Sequence, residues 1–121
     1  MAKWTKTAME IAIAHERAEG RNPVDVSKKG VGHDIESSGR LIEVKGVGES
    51  WTSYTWQPMY VSQVECLNKN PGSFYLYIVK FDDGASSLYV IPSGSLKKDF
   101  KLKPESYALT PISKRKLKGF L

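Results

Sequence analysis

The chain has 121 residues, 40% of them apolar and 26% charged, with a formal net charge of +5. That length suits one domain, residues 1–121, with a core of its own, and the mixture is that of a globular protein rather than a disordered or fibrous one. No apolar run reaches the roughly 18 residues of a membrane helix. The opening MAKWTKTAMEIAIAHERAEG, with acids among its apolar residues and no small-residue cleavage site, does not read as a secretory signal, so a cytoplasmic protein without a membrane partner is expected. The lone Cys66 excludes an intrachain disulfide and a cysteine metal cluster.

Residues 5–19 read as a helix. Thr5 or Thr7 can cap its start, Gly20 can end it, and Met9, Ala12 and Ile13 share one face, widened by Trp4, Ala8 and Ile11. RNPVDVSKKGV, residues 21–31, is rich in turn formers and reads as a loop. Two short β-type runs, 32–36 and 40–47, are split by Ser37-Ser38-Gly39, a hairpin pattern. WTSYTW, residues 51–56, suits a third strand. Residues 58–69 read as a second helix with Met59, Val61, Val64, Cys66 and Leu67 as its apolar positions, stopped by Asn70-Pro71-Gly72. FYLYIVKF, residues 74–81, is a near-continuous apolar run and predicts a strand buried on both faces. Asp82-Asp83-Gly84 then turns the chain into a further strand, SLYVIP at 87–92. Beyond it the chain is less regular, with a short basic helix near 112–119. The expected fold is α/β (α+β), a mixed sheet flanked by helices.

The charge is unevenly placed. Residues 1–95 carry ten basic and eleven acidic side chains, whereas residues 96–121 carry Lys97, Lys98, Lys101, Lys103, Lys114, Arg115, Lys116 and Lys118 against only Asp99 and Glu105. A basic C-terminal segment of this kind can bind a polyanion by releasing counterions from its phosphates. It is equally compatible with a solvated tail.

Chemistry is concentrated in the hairpin. On a strand Glu43 and Lys45 share one face, while Ile42 and Val44 take the other. If the hairpin turns on Ser38-Gly39, Asp34 falls across from Glu43, with side chains about 5 Å apart. Two carboxylates so placed repel each other, and a hard divalent cation, Mg²⁺ or Mn²⁺, relieves that repulsion. Its ligands would be Asp34, Glu43 and the backbone carbonyl of Val44, with water and phosphate completing the set. Lys45 could orient an attacking water or offset charge building on a phosphate. The same pattern also fits an exposed edge hairpin whose acids simply pair with Lys45. Lys28 and Lys29, in the loop before the hairpin, could touch phosphate or stay solvated. Trp51, Tyr54, Trp56 and Tyr60 could stack on exposed bases or pack in the core. Cys66, at an apolar helix position, reads as a buried small hydrophobe.

A family resemblance runs through these segments. His15-Glu16-Arg17-Ala18-Glu19-Gly20-Arg21, Pro23-Val24-Asp25-Val26-Ser27, Gly32-His33-Asp34-Ile35-Glu36-Ser37 and Arg40-Leu41-Ile42-Glu43-Val44-Lys45-Gly46 come first, followed by Val61-Ser62-Gln63-Val64-Glu65 and the run 74–80. Together, over about residues 9 to 81, they resemble the domain found at the C-terminus of NO VEIN proteins, a family similar to the PD-(D/E)XK nuclease superfamily. The resemblance implies a restriction-endonuclease-like αβββαβ core and a Mg²⁺-dependent endonuclease acting on DNA. Asp34, Glu43 and Lys45 fall on its metal and catalytic positions, and Glu16 on an extra acid supplied by the first helix. The spacing of Glu16 from Ala12 and Ile13 puts it at the border of the buried face, which suits that role and equally suits a surface acid paired with Lys or Arg. Gln63 and Glu65 would be supporting polar residues on the second helix. Lys28, Lys29, Lys97, Lys98, Lys114, Arg115 and Lys116 are the expected contacts to DNA.

His33 stands where relatives usually carry an aromatic residue, and reads as a core or partly exposed histidine. The short, basic chain is also similar to archaeal Holliday-junction resolvases, usually dimeric, so a homodimer or a protein partner is a further expectation. Two other readings of the same features are a non-catalytic nucleic-acid-binding module and a protein-interaction domain of a repair, recombination or defence complex.

Overall fold

A computed structural model describes residues 7–51 and 59–100. Helix α1 (Ala8–Ala18) starts where the Thr7 hydroxyl accepts the Glu10 N–H at 3.1 Å, which satisfies one of the first-turn donors. Thr7, rather than Thr5, is therefore the cap. The chain leaves the helix through Gly20, whose φ of +80° suits a residue without Cβ.

Strand β1 (Pro23–Asp25) lies inside the segment expected to be a loop. It pairs antiparallel with β2 (Ile35–Ser37), Val24 opposite Glu36. Three residues among turn formers carry no periodic signal, and the strand exists because β2 supplies its backbone partners. A 3-10 turn over Ser27–Lys29 joins the two.

Strand β3 (Arg40–Val47) follows β2 through Ser38 and Gly39, with φ of +47° and +88°. This two-residue turn, positive at both positions, matches the twist of the flanking strands and sets Ile35 opposite Ile42. That is the register the Ser38-Gly39 turn predicts. Helix α2 (Val61–Lys69) carries the chain to β4 (Phe74–Asp82), which lies parallel to β3. Asp83 and Gly84 turn it into the antiparallel β5 (Ala85–Pro92), and α3 (Ser93–Asp99) follows at once. This last helix, in a stretch expected to be irregular, is only seven residues long and is held by burial of Leu96.

The chain thus forms a mixed five-stranded sheet, in the order β1-β2-β3-β4-β5, with three helices: an α+β fold. The succession α1-β1-β2-β3-α2-β4 has the αβββαβ order, with β1, in the segment expected as a loop, as its first strand. Residues 52–58 lie outside the described part, as do the expected helix at 112–119 and Lys114, Arg115 and Lys116. No described helix is long and apolar enough to cross a membrane.

The strand period of two sorts the core into two faces. On one, Ala12 of α1 packs with Ile35, Ile42 and Tyr77, and Val44 and Tyr75 lie against them. On the other face Phe74, Leu76, Ile78 and Val47 pack with Cys66 and Leu67 of α2 and Leu96 of α3. Covering on both sides is why β4 is apolar at almost every position. Glu43 and Lys45, of the same parity as Leu41 and Val47, face α2.

Gly32 shows how closely the loop before β2 approaches α2. Its φ is +86°, and a Cβ there would lie 2.5 Å from the Ser62 carbonyl oxygen. Thermal unfolding of Gly32→Ala is expected to show a loss of about 2–3 kcal/mol, against about 1 kcal/mol for Gly30→Ala, where only the positive φ opposes a side chain.

Candidate metal centre

The site forms where β2 stops and β3 runs on. Strand pairing ends at Ile35 opposite Ile42, and the Asp34 N–H still donates to the Ile42 carbonyl at 2.8 Å. One step further, the Asp34 carboxylate accepts the Val44 N–H at 2.9 Å, in the place a longer β2 would have filled with backbone. The N–H and C=O of one strand residue point to the same side, so the Val44 carbonyl also faces this open end. Glu43, 4% exposed, faces α2 beside Asp34. Lys45 follows on the same face, its Nζ 3.5 Å from Glu43 Oε2 and 3.4 Å from Gln63 Oε1.

Gln63, in the first turn of α2, ties these groups together. Its Nε2 donates to Glu43 Oε2 at 2.7 Å, while its Oε1 accepts the Tyr60 N–H at 2.9 Å. One side chain therefore both caps a helix start and holds the buried acid. The sequence offered only a weak signal for this: a glutamine at the third helical position, where capping residues occur.

Burial pushes the Glu43 carboxyl up to about 7, the neighbouring Asp34 charge adds to the rise, and the Lys45 ammonium offsets only part of it. An acid pair in this state gains strongly from a dication, which supplies the positive charge that one lysine does not. Asp34, Glu43 and the Val44 carbonyl are oxygen ligands of the kind Mg²⁺ and Mn²⁺ take, and the remaining positions are commonly water and phosphate. No group of three or more His, Cys, Asp or Glu side chains suited to a metal gathers among the described residues, so two carboxylates are what this site provides.

Glu16 does not join this cluster, contrary to what the resemblance implies. It is carried by α1 against the opposite face of the sheet, with no exposed surface. Arg21 grips it with two hydrogen bonds, 2.6 and 2.8 Å, and the Tyr77 hydroxyl donates to it at 2.7 Å. Arg40 in turn donates to the Tyr77 oxygen at 2.8 Å and lies 4.1 Å above the Tyr75 ring. Burial alone would raise the Glu16 carboxyl, but the bonds from Arg21 and Tyr77 and the Arg21 charge outweigh it and hold it at about 2. Helical spacing correctly turns Glu16 inward, yet α1 covers the face that Glu43 does not use.

Glu65 is exposed on α2. Lys28 and Lys29 are exposed on the 3-10 turn leading to Asp34, and Lys97 and Lys98 are exposed on α3, on the same side of the sheet as the site. His33 is buried, its Nε2 3.1 Å from Glu36 and its Nδ1 3.5 Å from the Cys66 sulfur. Cys66 is itself buried in the α2-side core, and burial pushes its thiol up, as suits a small hydrophobe. Trp51 packs there too, against Tyr89.

An α+β domain with two neighbouring acids and a lysine at the end of a short hairpin is the class this fold and site define. Comparison with known protein families matches residues 5–91 to the family described as Protein NO VEIN, C-terminal. The match spans most of the chain, and the protein belongs to that family. No curated protein and no solved structure gives a match.

Proposed function

We propose that Asp34, Glu43 and Lys45 form the cleavage centre of a metal-dependent DNA endonuclease of the PD-(D/E)XK type. The observation that carries this reading is the gathering of a buried carboxylate, Glu43, with the Asp34 carboxylate on the neighbouring Val44 N–H and the Lys45 ammonium 3.5 Å from Glu43. A like-charge contact weakens a fold unless something else is gained from it. Asp34, Glu43 and the Val44 carbonyl would hold Mg²⁺ or Mn²⁺, which when bound supplies Lewis-acid activation of a phosphate and a water. The Lys45 ammonium donates to a non-bridging phosphate oxygen and offsets the negative charge that grows during attack. Its contacts to Glu43 and Gln63, both near 3.5 Å, are long enough to yield to a phosphate. Gln63 keeps Glu43 and Lys45 in place. Lys28, Lys29, Lys97 and Lys98, with Lys114, Arg115 and Lys116 of the basic segment, balance the charge of the DNA backbone.

Plasmid nicking in Mg²⁺, in Mn²⁺ and in EDTA tests the proposal. Nicking is expected in both metals and not in EDTA. Lys45→Ala is expected to slow it about 100-fold or more while DNA binding stays near the parent value. Nicking that survives EDTA, or that is indifferent to Lys45→Ala, would end this reading.

A further inference from the structure

Most aromatic side chains of the described part are used in packing. Tyr75 and Tyr77 meet edge to face under α1, and Trp51 lies 5.5 Å from Tyr89. Tyr60 is the most exposed of them. It is 71% exposed, its ring meets no other ring among the described residues, and Val61 beside it is 74% exposed. Its backbone is nonetheless anchored, since its N–H donates to the same Gln63 that holds Glu43. Its ring lies 5.9 Å from Lys45 Nζ. An aromatic and an aliphatic side chain are thus held in water at the rim of the acid–lysine cluster.

We propose that Tyr60, flanked by Val61, is a stacking platform for an unpaired base next to the phosphate held at Asp34, Glu43 and Lys45, so that single-stranded DNA, or DNA with unpaired nucleotides, is preferred over continuous duplex. The position of that phosphate rests on the nuclease reading. A phosphate oxygen accepting from Lys45 sits about 3 Å from Nζ, which brings its own nucleoside within reach of the Tyr60 ring. Inside a duplex both faces of every base are covered by neighbours, and the ring can meet only a base that has left the stack. Enzymes that pull bases from a duplex enclose them in a snug pocket. A ring as open as Tyr60 offers no such enclosure and suits a strand already unpaired. Every base has a π face, so the platform accepts all four with little sequence preference. The hydroxyl has no part in stacking, and phenylalanine is expected to serve as well.

The test uses the full chain in EDTA, where cleavage is silent, with an oligonucleotide carrying 2-aminopurine. The single strand is expected to bind about tenfold more tightly than the same sequence as a blunt duplex, with its fluorescence quenched by stacking. Tyr60→Ala is expected to abolish the quench and weaken single-strand binding about tenfold, and Tyr60→Phe to keep both. Duplex bound as tightly as single strand, or a quench and affinity unchanged in Tyr60→Ala, overturns the platform even if Mg²⁺-dependent nicking is seen. A Tyr60-dependent quench without cleavage in Mg²⁺ or Mn²⁺ sustains the platform and overturns the nuclease reading. Absence of binding to either form overturns the platform, while nicking in Mg²⁺ or Mn²⁺ decides the nuclease reading.

Discussion

Glu43→Gln is expected to abolish cleavage, by at least about a thousandfold, and to make the metal-free protein harder to unfold at pH 8. The second effect follows from the same contact that serves the first. In the fold Glu43 titrates near 7, against 4.5 for an ordinary glutamate. Between these values the folded protein keeps a proton that the unfolded chain has released, so stability falls as pH rises through this window, and the loss is complete above about 7. Its size is about 3 kcal/mol. Glutamine cannot ionise, and its carbonyl still accepts from Gln63, so the variant escapes that loss. Lys45 loses a partner at 3.5 Å, the smaller term for a contact that long. Melting at pH 8 is expected to rise by about 5–10 °C in the variant. Mg²⁺ is expected to raise the melting temperature of the parent and leave Glu43→Gln unmoved, because a cation stabilises only the fold that binds it. A variant that melts below the parent at pH 8, or equal shifts with Mg²⁺, would show that Asp34 and Glu43 are not an ion site.

Glu16→Ala is expected to act in the opposite way, with a large loss of stability and no direct loss of chemistry. The substitution leaves the Arg21 guanidinium and the Tyr77 hydroxyl without the carboxylate they share, behind a wholly buried position. Breaking a buried pair by removing one partner costs about 3–5 kcal/mol, a large part of the stability of a small domain. The pH dependence reverses that of Glu43. Glu16 is held at about 2, so its contribution is complete above about 4.5 and disappears as pH falls from there toward 2. With one acid losing its benefit below that point and the other costing stability above it, the metal-free protein is expected to be most stable near pH 5. Denaturant unfolding across pH 3–8 measures both slopes. Cleavage per folded molecule in Glu16→Ala is expected near the parent value at low temperature. A variant that unfolds normally yet no longer cleaves would return Glu16 to the chemistry.

The hairpin was legible because its causes are local. Ser38-Gly39 can form a tight turn with positive φ at both residues, that turn sets Ile35 opposite Ile42, and the period of two then puts Glu43 and Lys45 on one face. The double burial of β4 was legible for a similar reason, since an apolar run that long has no solvated face to offer.

What the chain could not announce depended on partners far along it. Three residues at 23–25 become a strand only beside β2, and seven at 93–99 become a helix only by burying Leu96. The resemblance offered Gln63 and Glu65 alike as supporting polar residues, and only the packing of α2 put Gln63 on Glu43, twenty positions away in sequence, and left Glu65 exposed. Glu16 is the clearest case. The helical period settles which side of α1 turns inward, but a sheet has two sides, and only the packing of the whole chain decides which one the helix covers. That choice set Glu16 with Arg21 and Tyr77, and left Asp34, Glu43 and Lys45 to α2.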